Sequence, residues 1–174
     1  MRKVEKLNII LTGFMATGKT SVGKKLAEEL GRDFIDTDRM VEQKTGLKTR
    51  QIFDQFGEPY FRERESEAVA GLSLYPAGSL VVSTGGGVLL REENRVTLKK
   101  NGLLVLLTAD PETIINRSGD IEDRPLLDGP DPAGKIRNLL GKREKFYSDC
   151  DLRIDTTGKT IMQVVREIAE KIAP

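Results

Sequence analysis

Short apolar runs alternate with longer amphipathic stretches along the chain. Leu7–Leu11, Asp33–Ile35, Leu80–Ser83, Leu103–Leu107 and Leu152–Ile154 read as strands, several of them apolar on both faces. Continuous apolarity of that kind suits a parallel sheet covered by helices on each side. Between them, Lys19–Leu30 carries Val22, Leu26 and Leu30 at helical spacing, with Gly31 as a C-terminal stop. Glu58–Leu74, Glu92–Lys100 and Pro132–Phe146 also read as helices, and Thr160–Ala173 shows an apolar stripe through Ile161, Val164, Val165, Ile168 and Ile172. The alternation predicts one doubly wound α/β domain over residues 1–174, with right-handed crossovers. Ser118–Gly134 breaks the pattern. Its glycines and prolines among charges read as a long loop, and a loop of that length is functional or disordered.

Composition narrows the chemistry. Lys plus Arg number 28 against 27 for Asp plus Glu, a net charge of +1, with no basic stripe of the kind a nucleic-acid binder shows. The absence of histidine excludes imidazole chemistry at neutral pH and His-ligated zinc. The lone Cys150 cannot close an internal disulfide, and the apolar run ending before Gly13 is too short for a signal peptide core. No stretch approaches the roughly 20 apolar residues of a membrane helix. A soluble cytoplasmic protein is expected.

Directly after the first strand comes Gly13-Phe14-Met15-Ala16-Thr17-Gly18-Lys19-Thr20, which matches G-x-x-x-x-G-K-[ST]. The glycines let the backbone turn so that successive N–H groups point at phosphate oxygens, and the following helix adds its positive N-terminal end. Lys19 is placed to reach the β and γ phosphates and Thr20 to ligate Mg²⁺. The motif predicts a nucleotide but not a reaction.

Further constellations lie at strand ends. Asp36-Thr37-Asp38 closes the second strand, where doubly wound sheets keep their ligands. If the strand runs through them, both carboxylates leave one face; alternatively Asp38 caps a helix over Arg39–Lys44. Arg62 and Glu65 share a helix face, and on spacing alone a solvated ion pair is the favoured reading. Gly85-Gly86-Gly87 follows the third strand, a sacrifice of backbone entropy that suits close approach of amides to a ligand. In the region of the long loop Arg117 and Arg124 stand seven apart, as deliverable positive charge or as surface cations, and Arg143-x-x-Phe146-Tyr147 closes a helix.

Taken in order, GFMATGKT, Asp36-Thr37-Asp38, Phe61-Arg62-x-x-Glu65, Thr84-Gly85-Gly86-Gly87, Arg124-Pro125-Leu126-Leu127 and Arg143-x-x-Phe146-Tyr147 resemble the shikimate kinase family over nearly the whole chain. The resemblance implies a three-layer P-loop fold: a five-stranded parallel sheet of order 2-3-1-4-5, helices on both faces, an acceptor region about 37–65 and a mobile lid about 117–134. It implies transfer of the γ-phosphate of ATP to the 3-hydroxyl of shikimate, with Mg²⁺ and no obligatory assembly. Gly13, Ala16, Thr17, Gly18, Lys19, Thr20 and Ser21 would hold the nucleotide, with Arg117 near adenine. Thr20 and Asp36 would serve the metal. Asp38, Arg62, Gly85, Gly86, Gly87 and Arg143 would hold shikimate, the two arginines on its carboxylate. Lys19, Asp38 and Arg124 would carry the catalysis, with Asp38 taking the hydroxyl proton because no histidine is available. Many family members have glycine at the position of Ala16, where alanine is expected to keep a right-handed turn, and the segment 155–160 lacks an Arg or Pro often found beside adenine. The rival readings are a related nucleoside-monophosphate or gluconate-type kinase and a non-catalytic nucleotide-binding regulator.

Overall fold

The structure, a computed structural model, describes residues 7–118, 125–127 and 130–173. Five parallel strands form one sheet: β1 (Asn8–Thr12), β2 (Asp33–Asp36), β3 (Leu80–Ser83), β4 (Gly102–Thr108) and β5 (Leu152–Asp155), in the order β2-β3-β1-β4-β5. Alternation along the central strands sorts the core into two layers. Ile9, Leu11, Val81, Val105 and Leu107 face α1 (Lys19–Leu30) and α7 (Ile161–Ile172), which contribute Val22, Leu26, Val164 and Ile168. Ile10, Leu80, Val82, Leu104 and Leu106 face the opposite layer, built from α3 (Thr49–Gly71), α4 (Glu92–Asn101) and α6 (Pro132–Tyr147). Ile9, Ile10 and Leu11 are fully buried, each worth about 1.5–3 kcal/mol in transfer from water. No described helix is long and apolar enough to cross a membrane.

The helices follow their punctuation. Gly31 ends α1 at φ 61, in the left-handed conformation that glycine adopts without strain, and its N–H donates to Glu28 O. Thr160 and Gln163 form a reciprocal cap that opens α7. α5 (Pro111–Arg117) lacks a strong periodic signal and escaped the sequence reading, whereas α2 (Thr37–Thr45) is the helix offered there as an alternative over Arg39–Lys44, begun two residues earlier. α3 begins at Thr49, earlier than Glu58, but Gly57 breaks it at φ 80, ψ 170, so its second segment does start where the sequence placed it. Pro59 is tolerated there because the first turn of a helix has no N–H acceptor to lose.

The long loop is shorter than its composition suggests. Arg117 lies in the last turn of α5 and Pro132 opens α6, so the segment between them, not 117–134 entire, is the connection. Within it Pro125–Leu127 forms a 3-10 turn whose Leu127 is fully buried against Phe14, Ile114 and Ile136. Arg124 lies outside the described residues.

Candidate active site

The phosphate loop leaves β1 at Gly13, where φ is 135 and an added Cβ would collide with Leu107 O; only glycine passes so close to the neighbouring strand. The loop turns again at Gly18, φ 95, directly before α1. Thr17 Oγ1 donates to Phe14 O at 2.8 Å. Lys19 lies back across the loop and donates to Gly13 O at 2.9 Å and Phe14 O at 2.7 Å. Ala16 corrects an expectation. At φ 58 it is the one non-glycine with positive φ among the described residues, so the loop holds alanine in the left-handed region instead of adapting to it with a right-handed turn.

Beside this cradle three hard oxygen donors meet. Thr20 Oγ1 donates to Asp36 Oδ2 at 2.9 Å and lies 3.3 Å from Ser83 Oγ. Asp36 and Ser83 are ladder partners on β2 and β3, so their side chains leave the same face of the sheet. Two hydroxyls and a carboxylate suit Mg²⁺, which prefers oxygen and keeps several of its waters. The strand ends at Asp36, so Asp36 and Asp38 do not share a strand face, and the helix cap is Asp36, not Asp38. Asp36 Oδ1 accepts from the N–H groups of Asp38 (3.1 Å) and Arg39 (3.4 Å). The capping role therefore falls on Asp36, the carboxylate beside Thr20 and Ser83, and leaves Asp38 to line a neighbouring cavity.

That cavity, about 240 Å³, is lined on its polar side by Asp38, Arg62, Glu65, Gly85, Gly86 and Arg143, and on its apolar side by Met15, Phe53, Phe61 and Leu126. Arg62 and Arg143 are buried, and Glu65 is wholly so, which overturns the solvated ion pair. Arg62 Nη1 donates to Glu65 Oε2 at 2.8 Å, while its Nε and Nη2 both donate to Glu58 Oε1, at 3.1 and 2.9 Å. Burial pulls the Arg62 pKa down, but Glu65 and then Glu58 outweigh it and the net shift is upward. Burial lifts Glu65 above the usual carboxylate range although Arg62 pulls it down. Arg62 keeps its proton, as arginines do, and its 2.8 Å contact is what offsets the cost of burying the Glu65 carboxylate.

The three glycines have separate reasons to be glycine. A Cβ on Gly85 would stand 2.6 Å from Asp38 Oδ1 and against Glu65 Oε1, and one on Gly87 would fall 2.5–2.6 Å from the Arg62 guanidinium. Gly86 O accepts from Arg143 Nη1 (3.1 Å) and Tyr147 OH (3.3 Å), which ties α6 to the end of β3. Asp38 Oδ1 and Glu65 Oε1 are both buried without a hydrogen-bond partner. Asp38 as a residue keeps some exposure, yet this oxygen has none. Burial first, then the charges of Glu65 and Asp36, push its carboxyl up to about 7 against the pull of Lys19 and Arg62.

On the far side of the loop a third cavity lies between Ala16, Gly18, Ser21, Arg117, Thr156 and Thr160. Arg117 donates through Nη1 to Thr156 Oγ1 (3.0 Å) and through Nη2 to Thr156 O (2.8 Å), and Thr156 Oγ1 donates in turn to Thr108 O at 2.9 Å. A cavity lined by Lys19, Thr20, Ser21, Asp36, Asp38 and Ser83 shares Ala16, Gly18 and Ser21 with this one, and Met15, Asp38 and Gly86 with the arginine-lined one. The three make one trough, with Asp38 where the Lys19-lined and arginine-lined cavities meet. Of the nominated residues that are described, all but two line this trough; Gly13 sits behind it, its O accepting from Lys19, and Gly87 packs behind the Arg62 guanidinium. Sequence reasoning missed Ser83 and Thr156; Ser83 is the last residue of β3 and Thr156 the first after β5, the only signal either carries.

A family model for shikimate kinase matches residues 15–173. The chain belongs to the shikimate kinase family. Among its relatives within that family, the shikimate kinase of Caldanaerobacter subterraneus is 48% identical over 92% of this chain and 93% of its own length. That of Bacillus anthracis is 40% identical, covering 95% and 98%. The structure of shikimate kinase from Acinetobacter baumannii in complex with shikimate superposes with a TM-score of 0.92 at 38% identity, over 97% of this chain and 94% of that one. A gluconokinase from Sinorhizobium meliloti, at 18% identity and TM-score 0.55, shares the fold alone.

Proposed function

We propose that this family member transfers the γ-phosphoryl group of ATP to the 3-hydroxyl of shikimate, giving shikimate 3-phosphate and ADP. The observation that carries the reading is the continuous trough, which sets a phosphate cradle beside an arginine-lined cavity with a buried, unpartnered carboxylate oxygen between them. Lys19 exchanges its loop carbonyls for the β and γ phosphates. Arg62 and Arg143 hold the acceptor carboxylate through planar guanidinium forks, and the apolar wall takes the carbon ring. The Gly86 amide and Asp38 fix the hydroxyls. As the acceptor oxygen bonds to phosphorus, its O–H bond breaks with the proton passing to Asp38 Oδ1, and the bridging oxygen leaves with ADP. A group raised to about 7 suits that task, since a base works best with a pKa near the working pH. Mg²⁺, held by Thr20 and Asp36 with Ser83 beside them, would neutralise charge on the β and γ oxygens. Arg117, fixed by Thr156, lies along the adenine, and Arg124 brings positive charge from the lid. We further place the protein in the cytoplasm as a monomer, in keeping with its near-neutral charge and single cysteine.

The test is a coupled ADP-release assay with and without shikimate, with the product identified by phosphorus NMR. Shikimate-dependent ADP release with a new phosphate monoester resonance is expected. ATP hydrolysis that shikimate does not stimulate sinks the assignment.

A further inference from the structure

We infer that Glu58 is a place-holder for the acceptor's carboxylate, occupying Arg62 in the empty enzyme and giving it up when shikimate enters. The inference rests on the reading that Arg62 grips a carboxylate. The Nε and Nη2 edge of a guanidinium offers two parallel donors, the geometry a carboxylate fits with both of its oxygens. In this structure that edge is taken, but by one oxygen only: Nε and Nη2 converge on Glu58 Oε1 at 3.1 and 2.9 Å. An incoming carboxylate that meets the same edge with two oxygens makes the better pair.

The two acidic neighbours of Arg62 differ in how easily they move. The Glu65 side chain is fully buried, whereas that of Glu58 is 41% exposed. Releasing Glu58 returns a carboxylate to water, which solvates it well, so the contact is readily broken. Glu58 also follows the break at Gly57 and stands in the first turn of the second segment of α3, where the positive end of a helix favours a displaced carboxylate. Charge balance points the same way. The cavity already sets Asp38 and Glu65 against Arg62 and Arg143, and Glu58 adds a third acid at its edge. A substrate carboxylate entering beside all three sets four negative charges against two positive ones, and withdrawal of Glu58, the most exposed of the acids, halves that surplus.

Acceptor affinity is therefore the difference between two carboxylates competing for one arginine. Calorimetric titration of shikimate into wild type, Glu58→Gln and Glu58→Asp tests this, with the shikimate carboxamide as the neutral control. Both variants should bind shikimate about threefold to tenfold more tightly than wild type. Gln presents no charge, and Asp is one methylene short of the Arg62 edge. The carboxamide should show no such gain. Unchanged or weaker shikimate binding by the variants overturns the exchange, as does an equal gain for the carboxamide. Should the variants fail to fold, a crystal structure of the wild-type protein with shikimate decides. Glu58 withdrawn from Nε and Nη2 supports the exchange, and Glu58 still about 3 Å from them refutes it. If wild type shows no heat with shikimate while binding Mg·ADP, the acceptor assignment itself has failed, and the exchange with it.

Discussion

Replacing Arg62 with alanine should produce two separable losses. Arg62 Nη1 is the 2.8 Å partner of a fully buried Glu65. Removing one member of a buried ion pair costs about 3–5 kcal/mol, since the other charge stays behind uncompensated. Arg143 and Arg91 still draw on Glu65 from further away, which favours the lower end, about 3 kcal/mol. For a domain of this size that amounts to a fall in Tm of roughly 6–12 °C. Shikimate should also lose a charge-assisted contact of about 1.5–3 kcal/mol, a rise in Kd of roughly 10- to 150-fold. ATP affinity should hold, because Arg62 does not line the phosphate cavity. The double variant Arg62→Ala with Glu65→Gln discriminates the two losses. With no buried charge left to compensate, most of the Tm should return while shikimate binding stays weak. Thermal melts followed by circular dichroism and calorimetry with each ligand give all the quantities. A Tm within 2 °C or so of wild type for Arg62→Ala, or no recovery in the double variant, refutes the buried-charge argument; parallel losses for ATP and shikimate refute the binding role.

Gly85→Ala drives a methyl against Asp38 Oδ1 and Glu65 Oε1, so turnover should drop about 100-fold through misplacement of Asp38, whereas Gly141→Ala on α6, with nothing within 4 Å, should leave it intact. Steady-state kinetics on the pair checks this, and equal rates contradict the close approach. Ala16→Gly should change stability by no more than about 0.5 kcal/mol in urea titration, because relief at φ 58 offsets the entropy that glycine adds to the unfolded chain; a loss of about 1 kcal/mol or more argues for an ordinary right-handed alanine. Burial, then Asp151 and Asp149, push the Cys150 thiol up to about 12. Alkylation by iodoacetamide at pH 8 should therefore run about 1,000-fold slower than for a free thiol and rise about tenfold per pH unit. Since the folded form holds this proton more tightly than the unfolded one, the thiol's contribution to stability is complete below the unfolded pKa and fades as pH climbs toward 12. A reaction rate that levels off below pH 10 would place the thiol elsewhere.

The phosphate loop was legible because its chemistry needs fixed residue types in one short stretch, and the strands because burial on both faces leaves an unbroken apolar run. What escaped was tertiary. An arginine and a glutamate three apart look alike in solvent and in a core; only the packing of Gly85 against Glu65 and of Gly87 against Arg62 says which. Asp-Thr-Asp offers two equally good caps, and the choice of Asp36 depends on where the ladder with β3 stops. Ala16 carries no sign of its left-handed φ, since loop closure imposes that conformation from outside. Thr156 takes its place through partners far away in the chain, Thr108 and Arg117, the latter 39 residues earlier.

The register of three strands has a consequence for how such an enzyme can change. Asp36, Ser83 and Leu11 stand abreast on β2, β3 and β1, so the segments that follow β1 and β2 begin two strand spacings apart with β3 between them, about 4.8 Å per step. Spacing between the reacting partners is thus inherited from peptide geometry, which no side-chain substitution can stretch. The lobe formed by α2 and α3 can be recast for a different small molecule while the phosphoryl group keeps its place. New acceptors should therefore be reachable by exchanging that lobe alone, with the sheet serving as an unaltered gauge.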